Sequence, residues 1–209
     1  MAVIFKTEFI DNTIPNDPRL EELKYWCREF QKRNLTPLYK ERSLGNLSFR
    51  IKDKHESFII TAAALALKDD LTDDSFVIIR SYDPERGIVF ASGTKEPSSE
   101  SVLHFSIYSK RKDVNAVFHG HSGRIIYSSD DLELASTKQF EQYGSIELVK
   151  SVLDVLGDEL FLVMKKHGFL ALGKNMEEAG TCAMKVYEQA QALKIQKIQS
   201  KHQEDRTSR

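Results

Sequence analysis

No apolar run in this 209-residue chain comes near the roughly 20 residues needed to cross a bilayer. The first segment, Met1 to Phe9, is too short and too broken by charge for the apolar core of a secretory signal. These two absences predict a cytoplasmic protein with no membrane partner. An excess of charge is missing too, since 30 basic and 31 acidic residues give a formal net charge of -1. Nucleic acid therefore has no electrostatic claim as the main partner. Cysteine is scarce: Cys27 and Cys182 lie far apart, each among apolar neighbours in a helix-like pattern. That excludes a disulfide framework and predicts two buried free thiols in a reducing compartment. Internal repeats and Gly-, Ser- or Pro-rich linkers are also absent, so nothing in the sequence divides the chain.

What remains is an ordinary globular composition, 41% hydrophobic and 29% charged, with length for one sizeable core. The reading assigns residues 1–196 to one domain and expects 197–209, which are almost entirely polar, to be a disordered tail. Asp17-Pro18 predicts a helix start, with Asp as N-cap and Pro at the first helical position. Leu20, Leu23, Cys27 and Phe30 give that helix one apolar face. The runs Phe58 to Thr61, Phe76 to Arg80 and Ile88 to Ala91 predict strands joined as hairpins. Pro97-Ser98-Ser99 predicts a helix whose Leu103 and Ile107 share a face. Asn115 to His121 reads as a strand, and Ile146, Val149, Leu153 and Leu156 as a helical stripe ended by Gly157. Leu160 to Met164 and Phe169 to Leu172 read as a hairpin around His167. Asn175 can cap the final helix. Strands in the middle with helices before and after predict a layered α/β domain.

The strongest chemical signal is Val117-Phe118-His119-Gly120-His121. In a strand, residues i and i+2 point to one side, so both imidazoles face one point and can supply two nitrogens to an ion such as zinc. Gly120 leaves the other side open for close packing. Such pairs also occur as merely hydrogen-bonded histidines. His167, at a strand end before Gly168, offers a third nitrogen, and three ligands with an open position is the catalytic pattern. His55 sits in a charged loop, His202 in the polar tail, and His104 within a helix, where a satisfied core histidine is expected. In Glu96-Pro97-Ser98-Ser99-Glu100, two hydroxyls at a helix start suit an anion, although Ser98 and Ser99 alone are more often caps and Glu100 a first-turn surface charge. Gly45-Asn46-Leu47-Ser48 could place an amide against a ligand, or be only a turn.

In order, Gly45-Asn46-Leu47-Ser48, Leu71-Thr72-Asp73-Asp74, Pro97-Ser98-Ser99-Glu100 with His104 one turn on, His119-Gly120-His121 and His167-Gly168 resemble the class II aldolase/adducin family, from about Leu20 to Leu193. The resemblance implies a three-layer α/β/α sandwich with a largely antiparallel central sheet, and a homotetramer with sites between subunits. It implies a divalent ion, most simply Zn2+, on His119, His121 and His167, with Glu100 as acid/base. Asn46, Ser98 and Ser99 match positions that bind a substrate phosphate, with Thr61 opening the neighbouring turn. The implied activity is a lyase that breaks or makes a carbon–carbon bond in a small ketose, a small-molecule carbohydrate such as a sugar phosphate, through a metal-stabilised enediolate. Epimerisation and dehydration use the same logic, and an adducin-like interaction module is the non-catalytic alternative. One segment departs from the pattern. Where the family's aldolases carry Thr-x-Ser/Thr-Gly, this chain has Thr61-Ala62-Ala63-Ala64, which lacks a hydroxyl and a glycine for approach to a phosphate. Tyr127 and Tyr143 are both open candidates for the tyrosine that some members use in catalysis.

Overall fold

The Ile-, Val- and Phe-rich runs are apolar at consecutive positions, which suits strands covered on both faces. The computed structural model of the protein describes residues 5–52 and 56–207, with side chains to residue 200, and in it these runs join one eight-stranded sheet. Its strands are β1 (Lys6–Asp11), β4 (Asn46–Arg50), β5 (Phe58–Thr61), β6 (Phe76–Asp83), β7 (Ile88–Ser92), β8 (Ala116–Gly120), β9 (Phe161–Met164) and β10 (Gly168–Gly173). The two short strands β2 (Leu38–Tyr39) and β3 (Arg42–Ser43) pair with each other. The order across the large sheet is β1-β7-β6-β5-β4-β8-β10-β9. Only β1 and β7 run parallel; every other neighbouring pair is antiparallel.

Alternate residues of the central strands feed two separate cores. Leu47, Ile59, Phe76, Phe118 and Phe169 pack against α1 (Leu20–Lys32), α3 (Gly123–Tyr127) and α5 (Met176–Thr207). Ile60, Val77, Val117, Leu162 and Leu170 pack against α2 (Ser101–Lys110) and α4 (Ile146–Leu156) on the other face. The result is the layered α/β architecture that the sequence predicts, with the mostly antiparallel sheet that the family resemblance implies. Among the described residues, no helix is long and apolar enough to cross a membrane.

Several local features differ from the sequence reading. α1 begins at Leu20, because Asp17 uses its carboxylate on the backbone N–H of Arg19 (3.0 Å) and holds Pro18-Arg19 in a turn. Ile146 is exposed, and Leu148 and Val152 complete the buried face of α4 instead. Cys27 is buried as expected, but Cys182 is only half-buried. The last helix continues to Thr207 rather than ending near residue 196, which suits its Gln, Lys and Glu content. His55 lies outside the described residues, as does the side chain of His202.

The strand–turn–strand reading around His167 holds: β9 and β10 pair from Met164 to Gly168, with Lys165, Lys166 and His167 as the turn. Asn175 caps α5 by accepting from the Glu178 backbone N–H at 2.8 Å. Arg50, buried in β4, donates to the carbonyls of Tyr108, Arg111 and Val114 at 2.9–3.1 Å. A cation on those last carbonyls fixes the far end of α2 to the sheet. That anchor sets where the first residue of α2 falls.

Candidate metal centre

β8 lies between β4 and β10, and its last residues carry the histidine pair. Within the strand, His119 is paired with Asn46 on one side and Leu170 on the other. His121 follows the strand end, tied by its backbone N–H to the Leu35 carbonyl (2.7 Å). The two imidazoles converge as the i, i+2 spacing predicts, with their Nε2 atoms 3.0 Å apart. His167 reaches the same point from the β9–β10 turn, and ligand atoms of all three lie within 4.8 Å of one another.

Glycine makes this convergence sterically possible. A Cβ on Gly120 would stand 2.5 Å from Phe169 Cζ, and one on Gly168 would stand 2.7 Å from His119 Cε1. Gly120→Ala should therefore lower stability by about 1–3 kcal/mol through forced repacking of the Phe169 ring. Thermal unfolding checks this, and an unchanged Tm would mean that the ring yields freely.

The electrostatics favour a cation. His119 Nδ1 lies 2.9 Å from the Phe169 carbonyl oxygen, which can only accept, so Nδ1 carries the proton and Nε2 keeps its lone pair. That lone pair faces Glu100 Oε2 at 3.1 Å, while Glu100 Oε1 is 3.3 Å from His167 Nε2. Burial pushes His119 down to about 3, and it also depresses His121, so both are neutral, the ligating form, at neutral pH. Asn46 Nδ2 donates to Glu100 Oε2 at 2.7 Å. Glu100 Oε1 and Asn46 Oδ1 are buried with no hydrogen-bond partner among the described residues. Unsatisfied acceptors around convergent lone pairs are costly unless a cation sits among them. Three imidazoles bound at about 2.0–2.1 Å would have ligand nitrogens roughly 3.3 Å apart. Those of His119 and His121 stand at 3.0 Å and ligand atoms of all three lie within 4.8 Å, so small movements let these residues fit a zinc-type ion.

Glu100 occupies the N-cap position of α2, not its first turn, and makes no capping hydrogen bond. Its carboxylate faces the histidines instead. His104, one turn on, is fully buried with Nδ1 2.7 Å from Ser48 Oγ, which in turn lies 2.8 Å from Tyr108 Oη. This is the core histidine the sequence predicts, although its Nε2 has no partner among the described residues. Burial pushes it down to about 3 from 6.5. The unfolded chain therefore takes up a proton between those values that the folded chain refuses, and stability falls as the pH drops below 6.5. For His104 alone, metal-free protein should lose about 2 kcal/mol between pH 7 and pH 5, read by denaturant titration at each pH.

The remaining predicted residues are divided. Thr61 Oγ1 accepts from the Leu47 backbone N–H (3.4 Å) and so supports the strand that bears Asn46. Ser98 is buried, its Oγ accepting from the Glu100 backbone N–H at 3.4 Å. Ser99 turns into a second pocket with Ala63, Pro97 and Glu96. Ala64 keeps a left-handed backbone, φ +57, so the chain holds there the shape a glycine would take without the glycine. Tyr127 is 87% exposed and Tyr143 45%, and neither lines the histidine cleft.

Sequence reasoning missed the other residues that line it, among them Arg33, Asn34, Arg124 and Tyr187. Each of these four sits on or at the end of a helix, and only their assembly in space reveals them. It also missed Lys68, whose buried Nζ donates to the Ser43 Oγ and the Leu44 carbonyl, tying down the segment before Gly45. Burial pushes that amine down to about 8.

Known proteins extend this picture. An L-fuculose phosphate aldolase from Methanocaldococcus jannaschii is 31% identical over 98 residues, 40% of this chain and 53% of the relative. The chain thus spans about half the length of that curated relative. A 5-methylthioribulose-1-phosphate/5-deoxyribulose-1-phosphate aldolase from Rhodospirillum rubrum is 28% identical over 165 residues, 70% of this chain and 69% of its own. A solved L-fuculose 1-phosphate aldolase superposes with a TM-score of 0.71 at 20% identity, covering 88% of each chain, a likeness of fold. Residues 21–193 match the class II aldolase and adducin N-terminal domain family, and the chain belongs to it.

Proposed function

We propose that the protein is a metal-dependent lyase that breaks or makes a carbon–carbon bond beside the carbonyl of a small ketose. One observation carries the reading: a buried carboxylate, Glu100, is held by Asn46 against two of three convergent imidazoles. His119, His121 and His167 would hold a divalent ion, zinc by the chemistry of the donors, which would supply Lewis acidity to the substrate.

The chain's own groups do the rest. The Phe169 carbonyl fixes the tautomer and orientation of His119. Asn46 donates to one oxygen of Glu100 and leaves the other to move a proton at the substrate. In this reading Glu100 takes the hydroxyl proton on cleavage and returns one to the carbon left behind. A domain used only for interaction has no need of a buried carboxylate with one oxygen left without a hydrogen bond, a desolvation that costs on the order of 1–3 kcal/mol or more. The named relatives are sugar-phosphate aldolases, and by that likeness the substrate is a small sugar phosphate.

The test is a panel of phosphorylated and free ketoses, assayed with metal content quantified on the same samples. Cleavage of at least one ketose, abolished by chelation and restored by zinc, is the expected result. Epimerisation or dehydration without cleavage would move the assignment to another reaction of this site. Metal-loaded protein that turns over none of the panel would reject the enzyme reading.

A further inference from the structure

Lys68, in the loop between β5 and β6, is only 1% exposed, and no carboxylate is bonded to it among the described residues. Its ammonium donates to neutral oxygens instead: Ser43 Oγ at 2.8 Å, the Leu44 carbonyl at 3.2 Å and the Ser43 carbonyl at 3.3 Å. The loop that carries it is itself fastened. The Lys68 backbone N–H donates to Gln31 Oε1 at 3.2 Å, and the Leu65 carbonyl accepts from the Ser43 backbone N–H at 2.7 Å. Gln31 Oε1 also accepts from Thr36 Oγ1 at 3.2 Å, so α1 and the loops on either side of β4 and β5 meet in one polar cluster. Burying a cation is costly, and burial pushes this amine down to about 8 from 10.5. An apolar side chain of the same length would fill the space at less cost. What the amine adds is its grip on two carbonyls.

Those carbonyls lie just before β4. The Leu44 carbonyl belongs to the peptide plane from which Gly45 turns, at φ +73. The other side of Leu44 is held as well, its backbone N–H on the Pro37 carbonyl at 2.9 Å. Gly45 is the soft joint of the segment, because glycine takes either sign of φ freely. It also packs against the backbone of a metal ligand, since a Cβ there would stand 2.6 Å from the His119 carbonyl oxygen. The next residue, Asn46, pairs with His119 across the sheet and donates to Glu100 Oε2 at 2.7 Å. Contacts thus run unbroken from the Lys68 ammonium through the Leu44–Gly45 peptide to Asn46 and the carboxylate.

Deepening the lyase reading above, we propose that Lys68 is a positioning residue for Glu100: by fixing the Leu44–Gly45 peptide it sets the orientation of the Asn46 amide that holds the carboxylate. Zinc-loaded wild type, Lys68→Met, Asn46→Ala and the double variant would be compared by two readouts. The first is the side-chain amide signal of Asn46 in a nitrogen–proton NMR spectrum, identified by its loss in Asn46→Ala. The second is exchange of a ketose α-proton into heavy water.

Lys68→Met keeps the length of the side chain without its charge or donors. It should move the Asn46 signal and slow exchange about tenfold, less than the roughly 10²-fold that a misplacement of about 1 Å can cost. The double variant should be no more than about twofold slower than Asn46→Ala, because a residue acting through Asn46 has nothing left to act on. Lys68→Gln, with a donor on a shorter chain, should fall between wild type and Lys68→Met, and it replaces that variant should the methionine protein not fold. An Asn46 signal unmoved in Lys68→Met would overturn the proposal. So would rate losses that multiply in the double variant, which mark a general loosening of the fold. Failure of the two readings is distinguishable. A moved Asn46 signal in a protein whose wild type exchanges no ketose proton removes the lyase alone. Wild-type exchange with an Asn46 signal indifferent to Lys68 removes this inference alone.

Discussion

His119→Ala and His121→Ala should each strip the protein of most of its metal. Wild type should carry close to one transition-metal ion per chain by elemental analysis of the purified protein, with zinc the leading element. Two imidazoles in place of three leave the ion under-coordinated, and the second nitrogen donor matters more than its distance suggests because the ligands act together. The two variants differ usefully. His119 is wholly buried and bonded to Phe169, so its loss also leaves a carbonyl without a partner and a cavity between β8 and β10. His121 is only half-buried and follows the strand, so His121→Ala removes a ligand with little disturbance of the core. Metal lost from His121→Ala at an unchanged metal-free Tm would therefore isolate the ligand role. Full occupancy in both variants would sink the metal assignment.

The histidine pair was legible in sequence because strand geometry has one answer: i and i+2 share a side, and the β8 register puts His119 beside Asn46. The strands Phe58–Thr61 and Phe76–Asp83 were legible as Ile-, Val- and Phe-rich runs, and their coverage on both faces follows from consecutive apolar residues having to face two cores. The role of Glu100 was less so. Sequence spacing places it at the start of a helix, where a carboxylate ordinarily stabilises the dipole, and only the anchoring of α2 turns it toward the metal ligands. The edge strand β1 escaped notice because its residues, burial aside from Thr7 being slight, carry no alternating apolar signal. Arg124 and Tyr187 could not have been found by any local pattern, since a cleft between α1, α3 and α5 exists only after the helices pack. The Ala62-Ala63-Ala64 departure, visible in sequence, gained meaning from the pocket beside it, where apolar walls and Glu96 stand around Ser99.

Glu100→Gln should leave fold and metal in place while turnover falls about 10²–10⁴-fold, the range of a general acid–base contribution. The amide keeps the shape of the side chain, and its oxygen can still accept from Asn46 Nδ2, but it takes no proton at neutral pH. The competing structural role makes a different forecast. A carboxylate that merely caps a helix contributes about 0.5–2 kcal/mol of stability and nothing to rate. Here the N-cap position is occupied by Glu100 without a capping hydrogen bond, so little cap stability is at stake and the rate is where the loss should appear. Removing the charge should even raise the Tm of metal-free protein slightly, because Oε1 is buried with no hydrogen-bond partner among the described residues. The measurement needs no knowledge of the true substrate: exchange of a ketose α-proton into heavy water reports the proton transfer by itself. Wild-type exchange rates in Glu100→Gln, at equal metal occupancy, would refute the acid/base role and leave the domain as a metal-binding interaction module.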